Sequence, residues 1–142
     1  MKKYNVLGIG NAVVDVISQS SDMFLEKMNI EKGIMQLVDR DRGELLYNSM
    51  DNRKQAPGGS VANTIAGIGA IGLKTGFIGK VGTDELGVFY RDTMEENGTD
   101  FVNNLSDKSE LPTSRSMIFV SDDGERSMNT YLGISAELGP EH

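Results

Sequence analysis

The sequence predicts an α/β protein built on a parallel sheet, with a second, smaller sheet beside it. Three observations lead there. Short apolar runs at 4–9, 75–81 and 101–105 alternate with longer stretches whose apolar residues recur every three or four positions, the pattern of parallel strands joined by crossover helices. The stretch between the last two of these strands carries its own start and stop signals, Thr83 or Asp84 ahead of it and Asn97-Gly98 behind, as a helix requires. Extended segments at 13–18, 114–132 and parts of 33–38 and 53–56 remain unassigned to the parallel sheet, enough for a small accessory sheet.

Taken in order, residues 4–9 read as a buried first strand and 13–18 as a second extended piece after a bend at Gly10-Asn11. Ser21-Asp22 offers an N-cap to a short helix carrying Met23, Phe24, Leu25 and Met28. A strand at 33–38 precedes a helix capped by Asp39 or Asp41, with Leu45, Leu46 and Met50 on its apolar side; 51–55 is polar and turn-like. From 60 to 71 the residues Val61, Ile65, Ile68 and Ile71 keep helical spacing. Ala66, Gly67 and Gly69 thin one face for close packing on a sheet, and Gly72 can end the helix. After the helix through Phe89, Met94 and Glu96, the runs 114–121 and 127–132 flank Asp122-Asp123-Gly124-Glu125, a hairpin turn by composition. Leu138-Gly139-Pro140 reads as the approach to another helix.

Composition excludes several classes. A net charge of −7 with scattered basic residues (Lys2-Lys3, Arg40, Arg42, Arg53-Lys54) lacks the basic stripe a nucleic-acid binder needs. The absence of cysteine and the single histidine, His142, exclude thiolate and His-cluster metal sites and a Ser-His-Asp triad, so no metal site is expected within the chain. Lys2-Lys3 ahead of 6–17 has the outline of a signal peptide. Asn11 and Asp15 interrupt the apolar run, however, and no small-residue cleavage site follows. No run approaches the roughly 18 apolar residues of a membrane span. A soluble, cytoplasmic protein is the expectation.

The chemistry concentrates in three places. Ala56-Pro57-Gly58-Gly59-Ser60-Val61-Ala62-Asn63 places two glycines before a helix start. There the backbone can approach a ligand closely and the first N–H groups have no intrahelical partner. Asn63 adds a side-chain acceptor and two donors one turn in. A tight loop with no ligand is the competing explanation, and the segment alone does not choose. Asp15 lies among β-branched residues in Val13-Val14-Asp15-Val16-Ile17. Either it faces outward or is capped by a local N–H, or it holds two hydroxyls of a vicinal diol. Gly8-Ile9-Gly10-Asn11 lacks the third glycine of a dinucleotide motif, and Lys80 stands in no P-loop context. Asp84 reads as an N-cap, and Arg126 alone reads as a solvated turn residue.

Together, Gly8-Ile9-Gly10-Asn11 with Asp15, Gly58-Gly59-Ser60 with Asn63, and Gly79-Lys80-Val81-Gly82-Thr83-Asp84-Glu85-Leu86-Gly87 resemble the PfkB (ribokinase-like) family of carbohydrate and nucleoside kinases. The resemblance covers essentially the whole chain. It implies a ribokinase-like α/β/α, Rossmann-like sandwich with a small β-sheet lid, and phosphorylation of a hydroxymethyl group by ATP with Mg²⁺. By the same resemblance Asp15 matches the carboxylate that holds two sugar hydroxyls, Gly59 the backbone contact and Asn63 the side-chain contact, with Gly58 and Ser60 completing the turn. Asn11 with Asp15, and Gly-Gly-Ser in place of Gly-Gly-Lys, lean toward the adenosine-kinase-like branch. In that branch Arg126, within Asp123-Gly124-Glu125-Arg126-Ser127, resembles an arginine beside the transferred phosphate.

The chain departs from the family in length. Members run to about twice its size, and the Gly-Ala-Gly-Asp motif that carries the catalytic base and anion hole does not occur in it. The expectation is an N-terminal, substrate-binding part of one kinase domain. Lid strands would come from about 13–18, 33–38, 53–56 and 114–132, and the part alone would bind neither ATP nor Mg²⁺ and would not turn over. The alternative is a sugar-binding or assembly module that dimerises through the lid, with the 114–132 hairpin pairing edge to edge.

Overall fold

The computed structural model describes residues 3–142; Lys2, half of the basic pair noted above, lies outside them. The element order is β1 (Val6–Ile9), β2 (Val13–Gln19), α1 (Asp22–Lys27), β3 (Met35–Leu37), α2 (Arg40–Asn48), β4 (Lys54–Gly58), α3 (Ser60–Ala70), β5 (Thr75–Ile78), α4 (Glu85–Glu96), β6 (Thr99–Phe101), β7 (Ser114–Val120) and β8 (Arg126–Tyr131). A 3-10 turn over Gly133–Glu137 follows. The chain divides into two compact units. One comprises Met1–Val14, Ala56–Ser114 and Leu132–His142, the other Asp15–Gln55 and Arg115–Tyr131.

The first unit holds a three-stranded sheet of order β1-β5-β6, all parallel. Leu7 pairs with Gly76 and Gly8 with Phe77, so Gly8 and Phe77 share one face and Leu7 and Gly76 the other. Both helices lie on the Gly8 side. A Cβ on Gly8 would come within 2.5 Å of Ile65 in α3, and Phe77 stacks on Tyr90 in α4 at 6.3 Å. Gly69 brings α3 against the hydroxyls of Thr75 and Thr99 at the sheet, where a Cβ would meet them at 2.8 and 3.0 Å. That is the close packing expected of the thinned face. Gly67 does not share in it, having nothing within 4 Å, and Ile71 is exposed because the helix ends at Ala70. The opposite face of β1 is bare, with Leu7 and Ile9 more than half exposed.

A five-stranded sheet of order β3-β8-β7-β2-β4 supplies the strands of the second unit, though the first residues of β2 and the last of β4 count with the first unit. β7 and β8 form an antiparallel hairpin, with Val120 opposite Arg126 and Ser116 opposite Thr130. β3 runs parallel to β8. Phe24 of α1 packs on Phe119 at 5.5 Å. Gly43 of α2 lies against Tyr131 and Met117, where a Cβ would stand 3.3 and 3.6 Å from them. α1 and α2 therefore cover the face that carries Met117, Phe119 and Tyr131.

Most expected elements appear with shifted ends. Ser21, Asp39 and Asp84 are the N-caps of α1, α2 and α4, each accepting from the backbone N–H three residues on. The strand expected at 101–105 instead spans Thr99–Phe101, because Gly98 at φ 92° turns the chain directly out of α4. Residues read as a turn up to Gln55 enter β4, an edge strand that carries Pro57 within it; an edge strand tolerates proline because its outer N–H groups are not needed. The hairpin is not available for edge pairing. β7 and β8 both lie inside the sheet, whose outer strands are β3 and β4.

Candidate functional site

In the first unit, the candidate residues collect where β1 and β4 end. β1 hydrogen-bonds across to β5 up to Gly10, whose N–H donates to the Ile78 carbonyl at 3.1 Å, and the chain then turns through Asn11 into β2 with no intervening helix. This excludes dinucleotide binding at Gly8–Gly10, which needs a helix N-terminus at that turn. Gly79 permits the turn: a Cβ there would stand 3.1 Å from Ala12 and 3.2 Å from the Gly10 carbonyl.

Gly58 closes β4 and Gly59 opens α3, at φ 101° and ψ 133°. A Cβ at Gly59 would lie 2.5 Å from the Asn11 carbonyl oxygen, so glycine is required both by its dihedral and by the approach of Asn11. The Gly59 carbonyl accepts the first helical bond, from the Asn63 N–H at 2.9 Å. No side chain caps this helix, which leaves the N–H groups of Ser60, Val61 and Ala62 without intrahelical partners. Ser60 and Asn63 are exposed beside them, next to a cavity of about 210 Å³ lined by Ser60, Val61, Thr64 and Ile65. A larger cavity, about 280 Å³ between Lys3, Tyr4, Lys74, Thr75, Gly98 and Asp100, opens at the other end of the sheet, where β5 and β6 begin. Open α/β sheets bind ligands at the carboxyl ends of their strands, and the smaller cavity is the one that adjoins the start of α3.

Two residues that support this corner escaped the sequence reading of function. Tyr90, fully buried on α4, donates from its phenol to the Gly58 carbonyl at 2.9 Å. Thr113 receives the Gly82 N–H on its hydroxyl at 2.9 Å and donates its own N–H to Asp84 at 2.9 Å. These contacts cross some 30 positions of sequence, and no local motif signals them.

In the second unit, Asp15 sits half-buried on β2. Burial pushes its carboxyl above the ordinary value of 3.8, and the positive charge of Arg126 acts against that shift. Arg126 is exposed at the first position of β8, directly after a turn built by Gly124 at φ 84°. The Asp123 side chain braces the turn, accepting from the Ser121 hydroxyl at 2.8 Å and the Glu125 N–H at 3.1 Å. Lys32 bridges Asp123 at 2.6 Å and Asp22 at 3.0 Å. Asp123 falls to about 2, chiefly through its hydrogen bond with Lys32, and the same bond raises Lys32. The fold thus places Asp15 within the field of the Arg126 charge, and Asn11 against Gly59, within their respective units.

Among the described residues no group of three or more acidic, histidine or cysteine side chains converges to hold a metal ion, and no helix is long and apolar enough to cross a membrane.

Residues 31–142 match the model of the pfkB family carbohydrate kinases. The chain belongs to that family. Its fold is the ribokinase-like α/β fold: it superposes on the crystal structure of adenosine kinase from Sinorhizobium meliloti with a TM-score of 0.87 and 48% identity, covering 99% of this chain and 42% of that one. A probable sugar kinase from Rhizobium etli gives the same TM-score at 46% identity, again over 99% of this chain and 42% of that one. Among curated relatives, a fructokinase of Salmonella typhimurium is 34% identical over 95 residues, 67% of this chain and 31% of that protein. The chain thus matches about a third of the length of this relative and 42% of the two solved structures.

Proposed function

We propose that this chain supplies acceptor-binding groups of an ATP-dependent kinase that phosphorylates a hydroxymethyl group of a sugar or nucleoside. The observation that carries the reading is Gly59, held at a positive φ against the Asn11 carbonyl at the mouth of an uncapped helix. Such a corner leaves helix N–H groups without intrahelical partners, and an oxygen-rich ligand supplies acceptors for them. Ser60 and Asn63 add hydroxyl and amide groups at that helix start. In the second unit, Asp15 provides a carboxylate suited to a vicinal diol. Arg126 favours its charged form and offers a guanidinium to phosphate oxygens.

A nucleoside acceptor is the favoured class. The adenosine kinase of S. meliloti matches 99% of this chain at 48% identity, beside 46% for the probable sugar kinase of R. etli, and the pairing of Asn11 with Asp15 and the Gly58-Gly59-Ser60 turn lean toward the adenosine kinases. ATP and Mg²⁺ belong to the proposed reaction as its phosphoryl donor and its metal. What this chain does is bind and orient the acceptor, a contribution that positioning alone can make large in phosphoryl transfer.

Assay of the full-length protein with ATP against a panel of nucleosides and sugars tests the reading. Adenosine or a related nucleoside should be the best substrate, and Asp15→Ala should raise its KM at least tenfold. Near-wild-type kinetics for that variant would remove Asp15 from the site, and no phosphorylation of any panel member would remove the function.

A further inference from the structure

The peptide between Gly58 and Gly59 has two polar ends, and the structure shows what holds one of them. The Gly58 carbonyl receives the Tyr90 phenol at 2.9 Å in a buried hydrogen bond. Tyr90 is itself immobilised: it is 0% exposed and packs against Phe77 at 6.3 Å and edge-on against Phe101 at 5.9 Å. A peptide bond is planar, and no bond in the described chain is cis. The carbonyl of Gly58 and the N–H of Gly59 therefore point in opposite directions. With the carbonyl drawn toward the aromatic cluster, the Gly59 N–H is aimed away from it. Glycines on both sides of this peptide present few steric barriers to its turning over, so an external restraint matters here more than elsewhere.

We propose that Tyr90 is a positioning residue: its phenol fixes the Gly58–Gly59 peptide so that the Gly59 N–H faces the acceptor. This rests on the acceptor-binding reading of Gly58-Gly59 given above. Without the phenol, a flipped peptide would present a carbonyl where the ligand oxygen needs a donor, and it would leave the Gly58 oxygen without its buried partner. The loss should fall on acceptor binding, because the buried hydroxyl acts through the Gly58 carbonyl.

The test is Tyr90→Phe, which removes one oxygen and keeps the ring in its cluster, beside Phe101→Leu, which damages the same cluster and leaves the phenol in place. In the full-length protein Tyr90→Phe should raise the acceptor KM about five- to tenfold with the KM for ATP unchanged. Phe101→Leu should lower the melting temperature without that KM change. In ¹⁵N spectra of the 142-residue chain, Tyr90→Phe should shift or broaden the Gly59 amide. An acceptor KM within twofold of wild type, or equal KM rises in both variants, would overturn the proposal. If the wild-type protein phosphorylated nothing in the panel, the functional reading would fail separately. The Gly59 amide would then decide whether Tyr90 holds the peptide, an unmoved resonance counting against it.

Discussion

Asp84 accepts two hydrogen bonds from Thr113, one from its amide at 2.9 Å and one from its hydroxyl. The same carboxylate accepts from the Gly87 N–H at 3.0 Å, so one side chain caps α4 and pins the loop before β7 to the exit of β5. The buried Thr113 hydroxyl completes the knot by accepting from Gly82. Asp84→Ala removes the cap and strands buried donors, and should destabilise the chain by on the order of 2–3 kcal/mol. Urea denaturation measures this. Asp84→Asn, which keeps one acceptor oxygen, should lose clearly less.

Gly59 combines a close backbone neighbour with a positive φ. Gly59→Ala meets the Asn11 carbonyl and a φ of 101° at once, a cost of roughly 1–3 kcal/mol or more from backbone strain alone. In the full-length protein, acceptor binding should fall below detection by calorimetry. Retained binding with a normal melting temperature would show that Asn11 can yield.

The acid limb of stability should carry two opposing contributions. The folded-state value for Asp15 is raised above 3.8, so between the two values the folded chain binds more protons than the unfolded one. Stability therefore falls as pH rises through that window, and the penalty is fully present above it. Asp123 is depressed to about 2; its contribution is present above 3.8 and is lost as pH falls through about 2. Arg126→Gln should raise the Asp15 value further, as read by carboxyl NMR titration, and Asp123→Asn should flatten the loss of stability between pH 4 and 2. Lys32 and Asp123 are exposed enough that salt will weaken the Asp123 effect.

Leu7 and Ile9 stand 52% and 61% exposed on the face of β1 opposite α3 and α4. All-parallel sheets are normally covered on both faces, so this bare strip should bind apolar dyes. Replacing both residues by glutamine should reduce dye fluorescence of the 142-residue chain while changing its stability by no more than about 0.5 kcal/mol per site. Undiminished fluorescence would place the dye elsewhere.

Much of the fold was legible residue by residue. Ser21, Asp39 and Asp84 act as the caps their chemistry suggests, and Gly124 makes the expected hairpin turn between β7 and β8. Caps and turns depend on neighbours three or four positions away, and so leave a local trace. Strand ends were less legible. β6 begins two residues before the apolar run does, and β4 takes in Pro57, because pairing partners rather than propensity decide where a strand stops. The hairpin illustrates the same limit: its turn could be read, its place inside the sheet could not.

By itself the sequence determined the alternation of strands and helices, the helix starts to within a residue or two, and the family to which the spaced glycines, Asp15 and Asn63 belong. Each depends on short-range chemistry or on a motif that survives as a string. Only the tertiary structure decided that Tyr90 reaches the Gly58 carbonyl, that Thr113 locks Asp84, that Asn11 closes on Gly59, and that Arg126 acts on the charge of Asp15. Those pairs are separated by tens of residues. Nothing in either local sequence encodes the distance between them, because that distance is set by how α4, β4 and the hairpin pack, and packing is a property of the folded chain as a whole.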